Sequence, residues 1–244
     1  MVSVDKGNDY HFYFCGAQRK IILYKCKTMN KIGRTNDAKE ENTFYKIQSI
    51  GVKSIHVFRK AFPTTPWIFV YRDPVQVMRS HLKTQGTNQA VCLRAKSYPG
   101  QDLVQLVERI GKKGGSINGK NIQSLNNEEF CAAHLATLCE TAIREVKESN
   151  GLGKVVNYNT LLTSLAEDLI PRHFLNTNSL SQESKRNIEK ISEHYSKGRK
   201  GQGRAWKEDS EQKEETAWEA LKDASTLYLQ PSYDELEKLQ KSLS

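Results

Sequence analysis

Hydrophobic residues near the middle of the chain form a short run that is bounded by proline. Residues 67–71, Trp-Ile-Phe-Val-Tyr, follow Pro66 directly, and a bounded run of this length and composition predicts a buried β-strand. The run stops at Arg72. Asp73 is a good helix N-cap, and Pro74 suits the first helical position, where no N–H is needed. This stretch therefore predicts a strand, a tight turn and a helix.

A second pattern, with apolar residues three and four positions apart, predicts a long helix over residues 127–148. Asn126 and Glu129 match the capping box at its start. Its apolar stripe contains Cys131, Leu135, Leu138, Cys139, Ala142 and Val146. Further strands are predicted near 43–48 and 153–157. Strands that alternate with helices predict a three-layer α/β fold, with a mainly parallel sheet flanked by helices.

The composition turns polar after residue 180, where three more helices are predicted. They cover residues 181–195, 215–229 and 233–243. Residues 196–207 contain five basic residues, three glycines and no acidic residue. We therefore divide the chain into a divergent N-terminal segment, residues 1–42, and an α/β domain, residues 43–244, whose C-terminal part is helical.

The formal net charge of +9 comes from 37 basic and 28 acidic residues, which favours anionic partners. A nucleic-acid partner would rest on this charge alone, because no zinc finger or RNA-binding aromatic signature is present, and we do not predict one. No apolar run reaches the roughly 18 residues of a membrane span. The N-terminus has no apolar signal core, which predicts a cytoplasmic protein.

The five cysteines form no Cys-x-x-Cys pair and no Cys/His ligand spacing. Two of them, Cys131 and Cys139, belong to the apolar stripe of the long helix. The pattern therefore predicts reduced thiols, with neither a disulfide framework nor a metal site.

Arg72-Asp-Pro-x-x-Val77-x-x-Ser80 resembles the segment with which sulfotransferases dependent on 3′-phosphoadenosine 5′-phosphosulfate (PAPS) hold the 3′-phosphate of their sulfuryl donor. In that family an Arg closes a strand, and a Ser eight residues later faces the same phosphate. A guanidinium offers phosphate a planar fork of donors, and a helical Ser adds a neutral one. The resemblance implies a P-loop-containing sulfotransferase fold, PAPS as the donor and no metal.

A second segment, Arg199-Lys200-Gly201 followed by Trp206-Lys207, resembles the C-terminal loop that clamps the same 3′-phosphate in cytosolic sulfotransferases. Glycine lets the backbone approach an anion, and clustered cations favour its binding. The resemblance therefore implies one pocket for the nucleotide. Its residues would be Arg72, Ser80, Arg199, Lys200 and Gly201.

The chain departs from the sulfotransferase pattern at the 5′-phosphosulfate loop, which in the family is rich in Gly, Ser and Thr. Residues 15–20 are the nearest candidate, and they offer one glycine and no hydroxyl. The chain is then either a fragment or a family member that lacks the loop.

The general base is also not evident. Many members have Lys-x-His on the strand before the Arg motif, whereas this chain has Lys46-Ile-Gln48, and a Gln cannot take a proton. Lys46 and His56 are the remaining weak catalytic candidates, and His81 lies beside Ser80.

Two functions stay open. The first is transfer of a sulfuryl group from PAPS to a hydroxyl or amine of an unidentified small-molecule or carbohydrate acceptor, by a chain that is inactive if nothing replaces the missing loop. The alternative is a non-catalytic or truncated family member that binds adenosine 3′,5′-bisphosphate or a protein partner.

Overall fold

The computed structural model describes residues 46–83, 85–86, 88, 90–112, 121–192 and 210–243. The helices are α1 (Ile55–Ala61), α2 (Pro74–His81), α3 (Gln101–Lys112), α4 (Asn127–Lys147), α5 (Leu161–Ser164), α6 (Gln182–Ser192), α7 (Ser210–Glu215), α8 (Glu219–Ala224) and α9 (Gln230–Leu243). Short 3-10 turns lie at Ser49–Ser54, Val91–Ala95, Ile122–Ser124 and Tyr158–Thr160, and π-helical segments at Leu165–Phe174 and Ser225–Leu229. The segment predicted at 1–42 lies outside the described residues.

Two strands, β1 (Trp67–Tyr71) and β2 (Gly153–Asn157), pair in parallel, with Trp67 opposite Gly153 and Tyr71 opposite Asn157. Both strands and their parallel pairing are confirmed. Trp67 leaves room only for glycine at position 153, because a Cβ there would lie 2.5 Å from the Trp67 ring.

The predicted three-layer α/β fold is wrong. In the part of the chain that the structure describes, the sheet has these two strands, and helices make up most of the rest. Of the strand predicted at 43–48, residues 46–48 are described, and they are not a strand. The Gly51 N–H bonds the Gln48 carbonyl at 2.8 Å, which directs the chain into a 3-10 turn instead.

The predicted long helix is confirmed as α4, and it forms the centre of the core. Asn126 and Glu129 form the capping box, with their side-chain and backbone bonds at 2.8 and 3.1 Å. Every residue from 128 to 138 is buried, so this part of the helix is covered on all sides. It packs against β2, α3, α8 and the segment Ser225–Leu229.

The prediction of reduced thiols is wrong for one pair. Cys92, in the turn Val91–Ala95, and Cys131, on α4, form a disulfide with their Cα atoms 5.1 Å apart, within the usual range. They are 39 residues apart in sequence, so helical spacing did not reveal the pair. Cys139 carries a free thiol, as predicted.

The C-terminal helices close the structure over the sheet. α8, the segment Ser225–Leu229 and α9 follow one another without a break, and α9 contacts both α4 and β2. None of the described helices combines the length and apolar character that a membrane crossing demands.

Candidate anion-binding site at the carboxyl edge of the sheet

The carboxyl ends of β1 and β2 lie at the same edge of the sheet because the strands are parallel. We call this the carboxyl edge. It is defined by Tyr71 and Asn157, which end β1 and β2, and by the residues that follow them, Arg72 and Tyr158. The predicted anion-site residue Arg72 lies at this edge.

Arg72 is held in a defined orientation at the carboxyl edge. Its Nε donates to Gln76 Oε1 at 2.7 Å, and its Cζ lies 4.7 Å from the centroid of the Tyr158 ring, a distance suited to a cation–π contact. Gln76 is buried, and its Nε2 donates to Glu214 Oε1 at 2.6 Å. The guanidinium is therefore pre-positioned by one contact from α2 and another from the residue after β2.

The N-terminus of α2 already has a negative group. Asp73 Oδ1 accepts from the Gln76 N–H at 3.0 Å, as an N-cap does. A second anion at the same N–H groups would be repelled by this carboxylate and would find the Gln76 donor occupied. An anion at the carboxyl edge would thus be held by side chains, with Arg72 first among them.

Ser80 lies two turns along α2 from Arg72. Its Oγ donates to the Gln76 carbonyl at 2.9 Å, a bond that helical serines often make. Arg72 and Ser80 thus both donate hydrogen bonds to Gln76, Arg72 to its side chain and Ser80 to its backbone carbonyl. Rotation of the Ser80 side chain would release its hydroxyl proton for an incoming phosphate.

The carboxyl edge also contains a polar cluster that the sequence did not reveal. Glu237 and Gln240, on α9, reach back to the ends of both strands. Tyr71 Oη lies 2.8 Å from Glu237 Oε1 and 2.9 Å from Gln240 Oε1. Asn157 donates through its Nδ2 to Glu237 at 2.6 Å and through its backbone N–H to Gln240 at 2.6 Å. The C-terminal helix is therefore fastened to this edge.

The charges in this polar cluster are set by its hydrogen bonds. Partial burial acts to raise the pKa of Glu237, but donors from Asn157, Tyr71 and Tyr233 lower it by more. Burial, followed by the bond to Glu237, raises the pKa of Tyr71. Glu237 is accordingly an anion and Tyr71 a neutral donor at neutral pH, so this half of the edge disfavours a further anion.

The other predicted site residues belong to other segments of the chain. Arg199, Lys200 and Gly201 lie outside the described residues. Lys46 is exposed in the coil before the first 3-10 turn, and His56 is half-buried in the first turn of α1. Their catalytic roles stay predictions.

Comparisons with protein-family models, with curated proteins and with solved structures gave no match to this chain. The resemblance to sulfotransferases therefore stays a prediction from the sequence motifs.

Proposed function

We propose that the carboxyl edge binds the 3′-phosphate of adenosine 3′,5′-bisphosphate, the nucleotide portion of PAPS, with Arg72 as the main contact and Ser80 as the second. The observation that carries the proposal is the guanidinium of Arg72, which follows a parallel strand and is oriented by Gln76 and Tyr158. A pre-positioned guanidinium loses little side-chain entropy when phosphate binds.

Sulfuryl transfer by this chain is slow or absent in this proposal. The family base would stand on a strand near residue 48, but Gln48 is exposed and its carbonyl starts a 3-10 turn. An amide cannot remove the acceptor proton. The chain then functions as a nucleotide-binding protein of the sulfotransferase type. It binds PAPS but transfers the sulfuryl group slowly or not at all.

The binding part is tested by isothermal titration calorimetry with adenosine 3′,5′-bisphosphate. Arg72→Ala should weaken binding by about 1.5–3 kcal/mol, the usual value of a charge-assisted contact. Arg72→Lys keeps the charge but loses the planar fork of donors, so its affinity should lie between those of Arg72→Ala and the wild type. Arg94→Ala, at an exposed arginine of the turn Val91–Ala95, is the matched control and should bind normally.

Adenosine 5′-monophosphate separates a 3′-phosphate contact from a general effect on the nucleotide. It lacks the 3′-phosphate, so its affinity should not change with Arg72→Ala. Equal loss for both nucleotides would contradict the assignment of Arg72, and so would unchanged affinity for the bisphosphate. The proposal that transfer is slow or absent is tested by turnover of labelled PAPS with a panel of phenols, sugars and amines. Robust transfer would overturn that proposal but would not contradict the binding site.

A further inference from the structure

Three side chains of the types that bind soft metal ions lie close together between α2 and α4, away from the carboxyl edge. His81 is the last residue of α2, Cys92 lies in the turn Val91–Ala95, and Cys131 lies in the second turn of α4. One ligand atom from each lies within 4.8 Å of the other two. We call these residues the His-Cys-Cys group.

The surroundings of the His-Cys-Cys group favour metal–sulfur bonds. Cys92 is 1% exposed and Cys131 is 0% exposed, and both belong to the main hydrophobic cluster. An unpaired thiolate is unfavourable in such surroundings, whereas a thiolate bound to a cation has its charge neutralised. His81, the third member of the group, is half-buried.

A tetrahedral ion needs the two sulfurs further apart than the disulfide holds them. Zinc binds sulfur at about 2.3 Å and imidazole nitrogen at about 2.0 Å, which separates tetrahedral ligand atoms by about 3.3–3.8 Å. The two sulfurs are joined in the structure. Once that bond is broken, rotation about each Cα–Cβ bond can move them to this spacing.

We infer that the reduced chain binds one thiophilic divalent cation, such as Zn²⁺, through His81, Cys92 and Cys131, and that oxidation of the cysteine pair releases it. Two protein thiolates and one imidazole leave a fourth position for water, as in three-ligand zinc sites. The same two sulfurs cannot be a disulfide and carry the ion at once, so the redox state decides occupancy.

The electrons and protons balance with a low-molecular-weight thiol such as glutathione as the reductant. Two glutathione molecules give two electrons and two protons to the Cys92–Cys131 bond and leave as their own disulfide. Metal binding then releases the two thiol protons to solvent as two sulfur–metal bonds form. In the reverse direction oxidised glutathione takes two electrons from the metal-bound thiolates and two protons from solvent and leaves as two glutathione molecules. The protein disulfide forms, and the cation leaves with water as its ligands.

The experiment is an anaerobic Co²⁺ titration of the full chain after reduction with a phosphine. The reduced wild type should take up one equivalent, with the thiolate-to-cobalt absorption in the near ultraviolet and the visible bands of a tetrahedral ion. Cys92→Ser should lose the charge-transfer absorption. His81→Asn should weaken binding about tenfold or more, since loss of even an outer-shell partner costs that much.

Two control variants match the ligands in residue type. Cys139→Ser changes the free cysteine on the same helix, and His56→Asn changes a half-buried histidine of α1. Both should bind Co²⁺ as the wild type does. Circular dichroism checks that each variant folds, and if Cys92→Ser does not, His81→Asn and the oxidised wild type still decide the question.

Three results would overturn the inference. The first is no thiolate–cobalt absorption in the reduced wild type. The second is binding that survives Cys92→Ser or is unaffected by His81→Asn. The third is retention of the cation after treatment with oxidised glutathione, with loss of free thiols confirmed in the same sample.

Discussion

The first half of α4 and the carboxyl edge are both well packed, but they are held together in different ways. Residues 128–138 of α4 are covered on all sides, mostly by apolar neighbours, and apolar contact has no preferred direction. The carboxyl edge depends on directed hydrogen bonds between residues far apart in sequence, such as Tyr71 and Gln240, which are 169 positions apart.

This difference indicates what each region can do. A helix covered mostly by apolar side chains stabilises the fold through burial. An edge built from Arg72, Glu237 and Asn157 depends on charged and polar groups, and these can exchange their partners for a ligand.

Removal of a large side chain from α4 should cause the largest loss. Phe130 is 0% exposed, so Phe130→Ala should lower the free energy of unfolding by about 3–5 kcal/mol through lost burial and a cavity. Urea denaturation measures this. Val91→Ala, at a position that is 58% exposed, should change it by less than about 0.5 kcal/mol. Equal effects at the two positions would show that α4 is not the centre of stability.

The Cys92–Cys131 disulfide should come next. It closes a loop over a separation of 39 residues, and the chain-entropy treatment assigns such a loop about 3–4 kcal/mol. Reduction of the wild type in the presence of a metal chelator should therefore lower the denaturation midpoint. Cys139→Ser leaves this disulfide intact and should respond to the reductant as the wild type does. An unchanged midpoint on reduction would contradict the prediction.

The sequence predicted α4 and the β1–α2 unit because their signals are local. Asn126 and Glu129 are three residues apart, the apolar stripe repeats within one helix, and Arg72, Asp73 and Pro74 are consecutive. Short-range spacing fixes which groups can meet, so such elements can be derived from the chain alone.

The remaining features depend on long-range pairing. The run at 43–48 could be a strand only with a neighbour, and in the described part the Gln48 carbonyl bonds within a turn instead. No pattern of sequence spacing indicates that Cys92 pairs with Cys131 or that Tyr71 contacts Glu237. Arg72, directly after β1, indicated an anion site at this end of the sheet. Nothing in the sequence showed that α9 would cover part of it.

Loss of one hydrogen bond at the carboxyl edge should have a smaller effect than either change near α4. Tyr71→Phe keeps the ring but removes the hydroxyl that lies 2.8 Å from Glu237. A hydrogen bond to a charged group contributes about 1.5–3 kcal/mol, and we expect the lower end because Glu237 keeps its Asn157 donor. Tyr98→Phe, at a tyrosine that is 90% exposed, should be neutral in the same denaturation experiment. A loss as large as that of Phe130→Ala would remove the contrast between the regions.

The smallest effect should be a pH dependence that belongs to the carboxyl edge. The pKa of Glu237 is lowered in the folded chain, because its hydrogen bonds outweigh the effect of burial. A carboxyl with a lowered folded pKa stabilises the fold fully above its unfolded pKa, which is about 4.3. That stabilisation is lost as the pH falls through the folded pKa.

Glu237→Gln should therefore remove part of the fall in unfolding free energy that the wild type shows below about pH 5. Urea denaturation at a series of pH values measures this. Glu235→Gln is the matched control on the same helix. The Glu235 pKa is also lowered, first by the hydrogen bond from Lys147 at 2.7 Å and then by that residue's charge. Since both Glu235 and Lys147 are substantially exposed, solvent screens their pair and the slope should change less. If the two variants give the same slope, the hydrogen bonds at the carboxyl edge add nothing beyond an ordinary surface pair, and its contrast with α4 is then one of burial alone.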